Sequence, residues 1–139
     1  MEKPFVNDVF EQLHARYPAL HAAVAQNFIT GDVIRREAID ADHHSILSLS
    51  NGLMQLFGAV SYLKMRGLLL SFAGMVLRMD GYIKIGELWM DHAGDELLVM
   101  PGQEPVYYYS TRHQAVRLLS PQVEEFVERI LVPFIAGDS

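Results

Sequence analysis

Residues 66–88 read RGLLLSFAGMVLRMDGYIKIGEL, and the way this stretch folds decides the architecture of the chain. Asp80-Gly81 invites a hairpin. A two-residue turn there would set Leu77 opposite Lys84 and Arg78 opposite Ile83, mixing polar and apolar side chains on both faces of the ribbon. The pattern therefore favours a buried helix over 68–78 followed by a strand over 82–86, with the hairpin as the alternative.

Downstream, DELLVM (95–100) and PVYYY (105–109) are short, rich in β-compatible residues and joined by PGQE, which predicts a hairpin. The chain then closes on a helix. Ser120 suits the N-cap and Pro121 the first turn, while Val123, Phe126, Val127, Ile130, Leu131 and Phe134 form one apolar stripe. Pro133 is expected to kink or end this helix.

Upstream, SILSLSNGLMQLFG (45–58) has two β-like runs around Asn51-Gly52, a dipeptide suited to tight hairpin turns. Val6, Val9, Phe10, Leu13 and Tyr17 fall at helical spacing over 6–17. Pro18 breaks that run and can open a second helix, whose buried stripe would be Leu20, Val24 and Phe28. Thr30-Gly31 ends it, and Asp32 could cap a short third helix carrying Val33, Ile34 and Ile39. Helices at both ends with a mainly antiparallel sheet between them make an α+β domain, and no linker or repeat divides residues 1–139.

Half of the 139 residues are hydrophobic and a fifth are charged, as in an ordinary globular chain. The formal net charge of −6, with Arg35-Arg36 as the densest basic spot, argues against nucleic acid as a partner. Cysteine is absent, which removes disulfides, thiol nucleophiles and thiolate metal sites together. The opening MEKPFVNDVF lacks the apolar core of a secretory signal. The run 67–77 is far short of the ~20 residues a membrane span needs. The expectation is a cytoplasmic protein that meets neither membrane nor nucleic acid.

Several stretches resemble one family when taken in order. SILSLSNGLMQLFG, then GYIKIGEL, GDELLVM, EPVYYY and LSPQVEEFVERIL are similar to successive segments of the SUKH superfamily, the Smi/Knr-type domain, over roughly residues 33–135. Where that family has Leu-Pro before its first core strand, this chain has DADHH. The resemblance implies an α+β domain with helices packed on a curved, mainly antiparallel sheet. It also implies a function: most bacterial members are immunity proteins that bind a cognate toxin and block it without chemistry, and others are adaptor-like interaction domains. The implied partner is a protein toxin, with no cofactor.

The candidate contact residues are Trp89, Asp91, Asp95, Glu96, Tyr108 and Tyr109. Side chains alternate along a strand, so Tyr107 and Tyr109 face one way and Tyr108 the other. One face would pack against the terminal helix, and the outward one would join Trp89 in a contact patch, since Tyr and Trp are enriched at binding hot spots. The competing account has Trp89 buried and the tyrosines purely structural. Glu87, Asp91, Asp95 and Glu96 give GELWMDHAGDE four acids that could meet a basic toxin surface or merely be solvated.

Asp40, Asp42, His43 and His44 supply metal-ligand chemistry, with Asp91-His92 as a distant complement. Adjacent histidines diverge on strands and helices, so a polar connection is the better reading and no metal site is expected. GYIKIG lacks the Lys-Ser/Thr of a phosphate loop, and no Gly-x-Ser-x-Gly elbow occurs. His14 and His21 read as solvent-facing, and Met75 and Met79 as core filler. The leading reading is thus a toxin-neutralising binding protein and not an enzyme. An adaptor module is the alternative, followed by a small metal-dependent hydrolase or a sensor with a pocket beneath residues 65–79. An exposed edge strand would allow a homo-oligomer, though nothing in the sequence demands one.

Overall fold

The computed structural model describes residues 4–36 and 48–137. Helices α1 (Pro4–Arg16) and α2 (Pro18–Asn27) meet at Tyr17, and Pro18 sits in the first turn of α2, where an amide hydrogen would have no partner in any case. Leu13, Leu20 and Val24 are buried as expected. Phe28 is not: α2 ends at Asn27, and Phe28 continues in extended backbone, partly exposed. The Asn27 side chain closes that end by donating to the Ala23 carbonyl.

The expected third helix is a strand instead, β1 (Val33–Arg35), while Ile39 lies outside the described residues. Asp32 caps a turn rather than a helix. Its backbone N–H donates to the Ile29 carbonyl, and its carboxylate accepts from the Ile29 N–H and from Arg66. β-Branched Val33 and Ile34 then suit a strand better than a helix.

The 45–58 hairpin is also overturned. Residues 45–47 lie outside the described residues, and Asn51-Gly52 opens helix α3 (Asn51–Ala59). Two caps select this outcome. Ser50 Oγ accepts from the Leu53 N–H at 3.2 Å, and the Glu104 carboxylate, more than fifty residues away in sequence, accepts from the Gly52 N–H at 3.0 Å. Leu53, Leu56 and Phe57 then lie on one buried face.

Seven further strands follow: β2 (Tyr62–Met65), β3 (Leu68–Ser71), β4 (Val76–Leu77), β5 (Ile83–Leu88), β6 (Glu96–Val99), β7 (Val106–Ser110) and β8 (Ala115–Ser120). Every neighbouring pair is antiparallel, in the order β1-β2-β3-β5-β6-β7-β8, with β4 pairing β5 as well. The expected helix over 68–78 is therefore β3, a turn and β4. The error lay in the loop length. Arg78 N–H donates to the Tyr82 carbonyl at 2.7 Å, and Gly81 takes φ +92°, so Met79, Asp80 and Gly81 form a three-residue loop. The extra residue shifts the register by one and sets Leu77 opposite Ile83 and Val76 opposite Lys84, so Leu77 now shares a face with an apolar partner instead of Lys84. The β6–β7 hairpin forms as expected.

A bulge at Ile85 interrupts the β5–β6 register, and next to it Gly86 is buried against β3. A Cβ at position 86 would collide with the Leu69 carbonyl, so only glycine lets the two backbones approach here.

The closing helix starts later than expected. Ser120 ends β8, its hydroxyl donating to the Gln122 carbonyl, and Gln122 stands at the N-cap of α4 (Val123–Phe126). The helix runs on through a π-helical turn (Val127–Leu131) into α5 (Val132–Ala136). Val132 N–H donates five residues back to the Val127 carbonyl, directly before Pro133, whose ring would clash with an α-helical carbonyl four residues behind it. Pro133 thus widens the helix rather than ending it. Val123, Phe126, Val127 and Leu131 are buried, with Ile130 and Phe134 half-buried beside them.

The architecture is α+β. The core lies between the helices and one face of the sheet, which contributes Leu63, Leu68, Leu70, Ile83, Leu97 and Val106 among others. Among the described residues no helix is long and apolar enough to cross a membrane.

Candidate functional site

Among the described residues, the second face of the sheet carries no helix, and it collects most of the tyrosines. In β7 the burial pattern alternates, so Tyr107 and Tyr109 face outward and Tyr108 points into the core. Tyr82 meets Tyr107 edge to face, with ring centroids 5.4 Å apart. Arg78 lies over the Tyr109 ring at 4.5 Å. Cross-strand pairing runs a column through Lys84, Leu98, Tyr107 and Leu118. Leu98 is fully buried on this face although it does not belong to the main core.

A ladder of ion pairs crosses the same face. Trp89 Nε1 donates to Glu87 Oε1 at 3.0 Å, and Glu87 Oε2 accepts from Lys84 Nζ at 3.2 Å. Lys84 also lies 3.7 Å from Glu96, which accepts from Arg78 Nη1 at 3.0 Å, and Arg78 reaches Asp80 at 2.9 Å. Trp89 ends the ladder with 46% of its surface exposed, which sets aside the packed reading of this residue. Its N–H is anchored to the Gly67 carbonyl at 2.8 Å. With Lys64, Gly67, Leu69 and Glu87 it borders a shallow groove of about 280 Å³.

The structure divides the six expected contact residues. Trp89 and Tyr109 reach the open face. Glu96 is half-buried in its ion pairs, and Asp91 is held at 3.1 Å by Arg117. Asp95 and Tyr108 are not surface residues at all: both are fully buried, and Tyr108 OH donates to Asp95 Oδ2. Asp95 also accepts from the Thr111 N–H, the Thr111 hydroxyl and the His92 N–H, and Asp91 N–H donates to the Tyr108 oxygen. Loop 89–95 is thereby bolted to β7, with Arg117 stacked 4.7 Å over the Tyr108 ring.

Burial works to raise the Asp95 carboxyl, but the hydrogen bonds from Tyr108, Thr111 and His92 outweigh it and hold its pKa below the ordinary aspartate value. Burial, reinforced by the bond to Asp95, pushes the Tyr108 phenol up to about 12. The pair ties the loop to β7 from within, whereas an acid in a Gly-Asp motif reads from sequence as a surface charge. Tyr82, Arg78 and Lys84 were not expected at the site because their meeting depends on the three-residue loop, and Tyr107 was placed on a strand face but not among the contact residues. The alternation of Tyr107 to Tyr109 was the one signal that could have found part of the patch.

Asp40, Asp42, His43 and His44 lie outside the described residues, and among the described residues no group of three His, Asp or Glu side chains could hold a metal ion. His14 is exposed, and its ring meets that of half-buried His21 edge to face at 5.1 Å. Met75 fills the core as expected, whereas Met79 projects fully from the β4–β5 loop. Phe72 and Met75, from the 65–79 segment, pack into the main core.

A second concavity, about 780 Å³, opens on the helical side, lined by Arg16, Tyr17, Gln55, Glu104, Glu124 and Glu128 among others. Glu104 is already engaged there, joining the N-terminus of α3 through Gly52 to that of α4 through the Val123 N–H at 3.4 Å. Burial raises the Tyr17 phenol, Arg16 opposes that shift, and Glu124 and Glu104 add to it.

No family model, curated protein or solved structure matches the chain.

Proposed function

We propose that the chain is a toxin-neutralising binding protein of the SUKH type, acting in the cytoplasm by occluding its cognate toxin rather than by chemistry of its own. The observation that carries this reading is the sheet face that no described helix covers, where exposed Trp89 stands at one end of a run of ion pairs and Tyr82, Tyr107 and Tyr109 lie toward the other, with the charges between them already paired. Aromatic side chains lose little conformational entropy on binding and dominate hot spots. The ion-pair ladder fixes them before contact, which lowers the cost of ordering the surface. The contact set is therefore Trp89 and Tyr109 with Tyr82 and Tyr107, and Asp95 and Tyr108 support it from beneath.

The test is co-expression with any toxin domain found encoded beside this chain, followed by affinity measurement with purified partners. Trp89→Ala should weaken the complex by about 2 kcal/mol or more, with Tyr109→Ala next, while both variants keep the parent's unfolding midpoint. Failure to protect cells from any neighbouring toxin would sink the assignment. Protection that survives both substitutions would move the contact surface elsewhere.

A further inference from the structure

The sheet has two edges, and they are finished differently. β1 is three residues long, with Arg35 at its end and Arg36 directly after it. Short length and adjacent charge are the usual means of keeping a sheet edge from pairing with another chain. β8, at the other edge, spans six residues, Ala115–Ser120, and contains no proline, lysine or acid. Its backbone hydrogen-bonds β7 on one side, and among the described residues Ala115 to Leu119 make no backbone bond to any other element.

Its single charge does not guard the edge. Arg117 is turned back onto its own subunit by Asp91 at 3.1 Å and by the Tyr108 ring at 4.7 Å. Beside it, Leu118 stands 54% exposed at the end of the column that begins with fully buried Leu98 and passes through Tyr107. That column stops at an apolar side chain, and no described strand pairs with β8 beyond it.

We propose that β8 pairs antiparallel with β8 of a second copy of this chain, joining two sheets edge to edge through Leu118. The sequence of the strand selects the occupant. A twofold axis at Leu118 sets the two Leu118 side chains opposite each other on the open face and extends both apolar columns across the joint. The same register sets Arg117 opposite Leu119 and Val116 opposite Ser120 of the second copy, so no like charges meet. Centring the axis on Arg117 would oppose the two guanidinium groups, which disfavours that register. The toxin-binding role uses the face of the sheet and the dimer its edge, so either can fail without the other.

Sedimentation of the full chain across a concentration series should show a monomer–dimer equilibrium. Leu118→Lys, a change at an exposed position that leaves the far-UV spectrum unaltered, should raise the dimer dissociation constant roughly tenfold or more. The native chain has no cysteine, so Leu118→Cys supplies a lone thiol. Directly opposed residues are close enough to bridge with a small adjustment. Oxidation should give a disulfide-linked dimer, whereas Leu77→Cys, exposed on β4, should stay monomeric under the same treatment. A chain that sediments as a monomer at every concentration overturns the proposal. So does a dimer indifferent to Leu118→Lys, or equal cross-linking from both cysteine positions.

Discussion

The two open regions of this molecule handle charge in opposite ways. On the sheet face each cation between Trp89 and Asp80 has an anion beside it, in a linear run of contacts from the indole to Asp80. In the cleft on the helical side, Glu104, Glu124 and Glu128 share the walls with Arg16, the one Lys or Arg among the described lining residues. A surface whose charges are paired with one another recognises by shape and aromatic area, whereas one with a clear excess of one sign attracts by field. A cluster of three acids therefore belongs to a region that the sequence did not single out. The acids around Trp89, which were expected to supply it, are paired or buried.

The largest effect that can separate the regions is at Asp95. Removing its carboxylate in Asp95→Ala leaves the Tyr108 hydroxyl, the Thr111 N–H and the His92 N–H without their acceptor, and should cost roughly 3 kcal/mol or more in chemical denaturation. pH probes the same contact from both ends. The lowered Asp95 pKa means that its contribution is complete above the ordinary aspartate range and is lost as pH falls through the lowered value. The raised Tyr108 pKa gives a contribution complete below the ordinary value of 10 and lost as pH rises toward about 12. Tyr108→Phe should flatten the alkaline limb of the stability profile. A profile of unchanged shape in that variant would mean that the buried pair does not hold the loop.

How much of this was legible in the sequence depends on the range of the deciding contact. α1, α2 and the β6–β7 hairpin were readable because periodicity, Pro18 and the PGQE turn are local signals. Residues 51–59 were misread because Asn-Gly is a hairpin signal unless something caps it as a helix, and half of that cap is Glu104, remote in sequence. Residues 68–78 were misread because a one-residue difference in loop length inverts every face assignment. For the site, alternation separated Tyr108 from its neighbours but could not say which side was the core. Asp95 looked like a solvated acid because its four donors come from two separate segments.

Glu104 sharpens the comparison at intermediate magnitude. If its carboxylate joins the two helix N-termini, Glu104→Ala should destabilise by about 1–2 kcal/mol, the scale of a lost helix cap. Partner binding through the sheet face should be unaffected. Glu124→Gln and Glu128→Gln, which remove cleft charge without touching a cap, should leave the unfolding midpoint within about 0.5 kcal/mol. Equal losses at all three positions would make the cleft a charge cluster rather than a junction between helices.

The smallest expected change in stability tests the sheet face itself. Glu87 holds the Trp89 indole with one oxygen and Lys84 with the other. Both contacts are partly solvated, and exposed ion pairs contribute about 0–1 kcal/mol, so Glu87→Gln should scarcely move the denaturation curve. Its effect should appear in mobility instead. Trp89 is the only tryptophan in the chain, so its fluorescence anisotropy reports this position alone. If the ladder pre-orders the indole, Glu87→Gln lowers the anisotropy and speeds dissociation of the toxin, because the complex must then order a side chain that was previously held. Salt should reproduce the loss in the parent chain and have less effect in the variant, whose ladder is already cut. Identical anisotropy in parent and variant at low salt would mean that Trp89 is held by its backbone bond to Gly67 alone, and the contrast with the cleft would rest on charge balance without preorganisation.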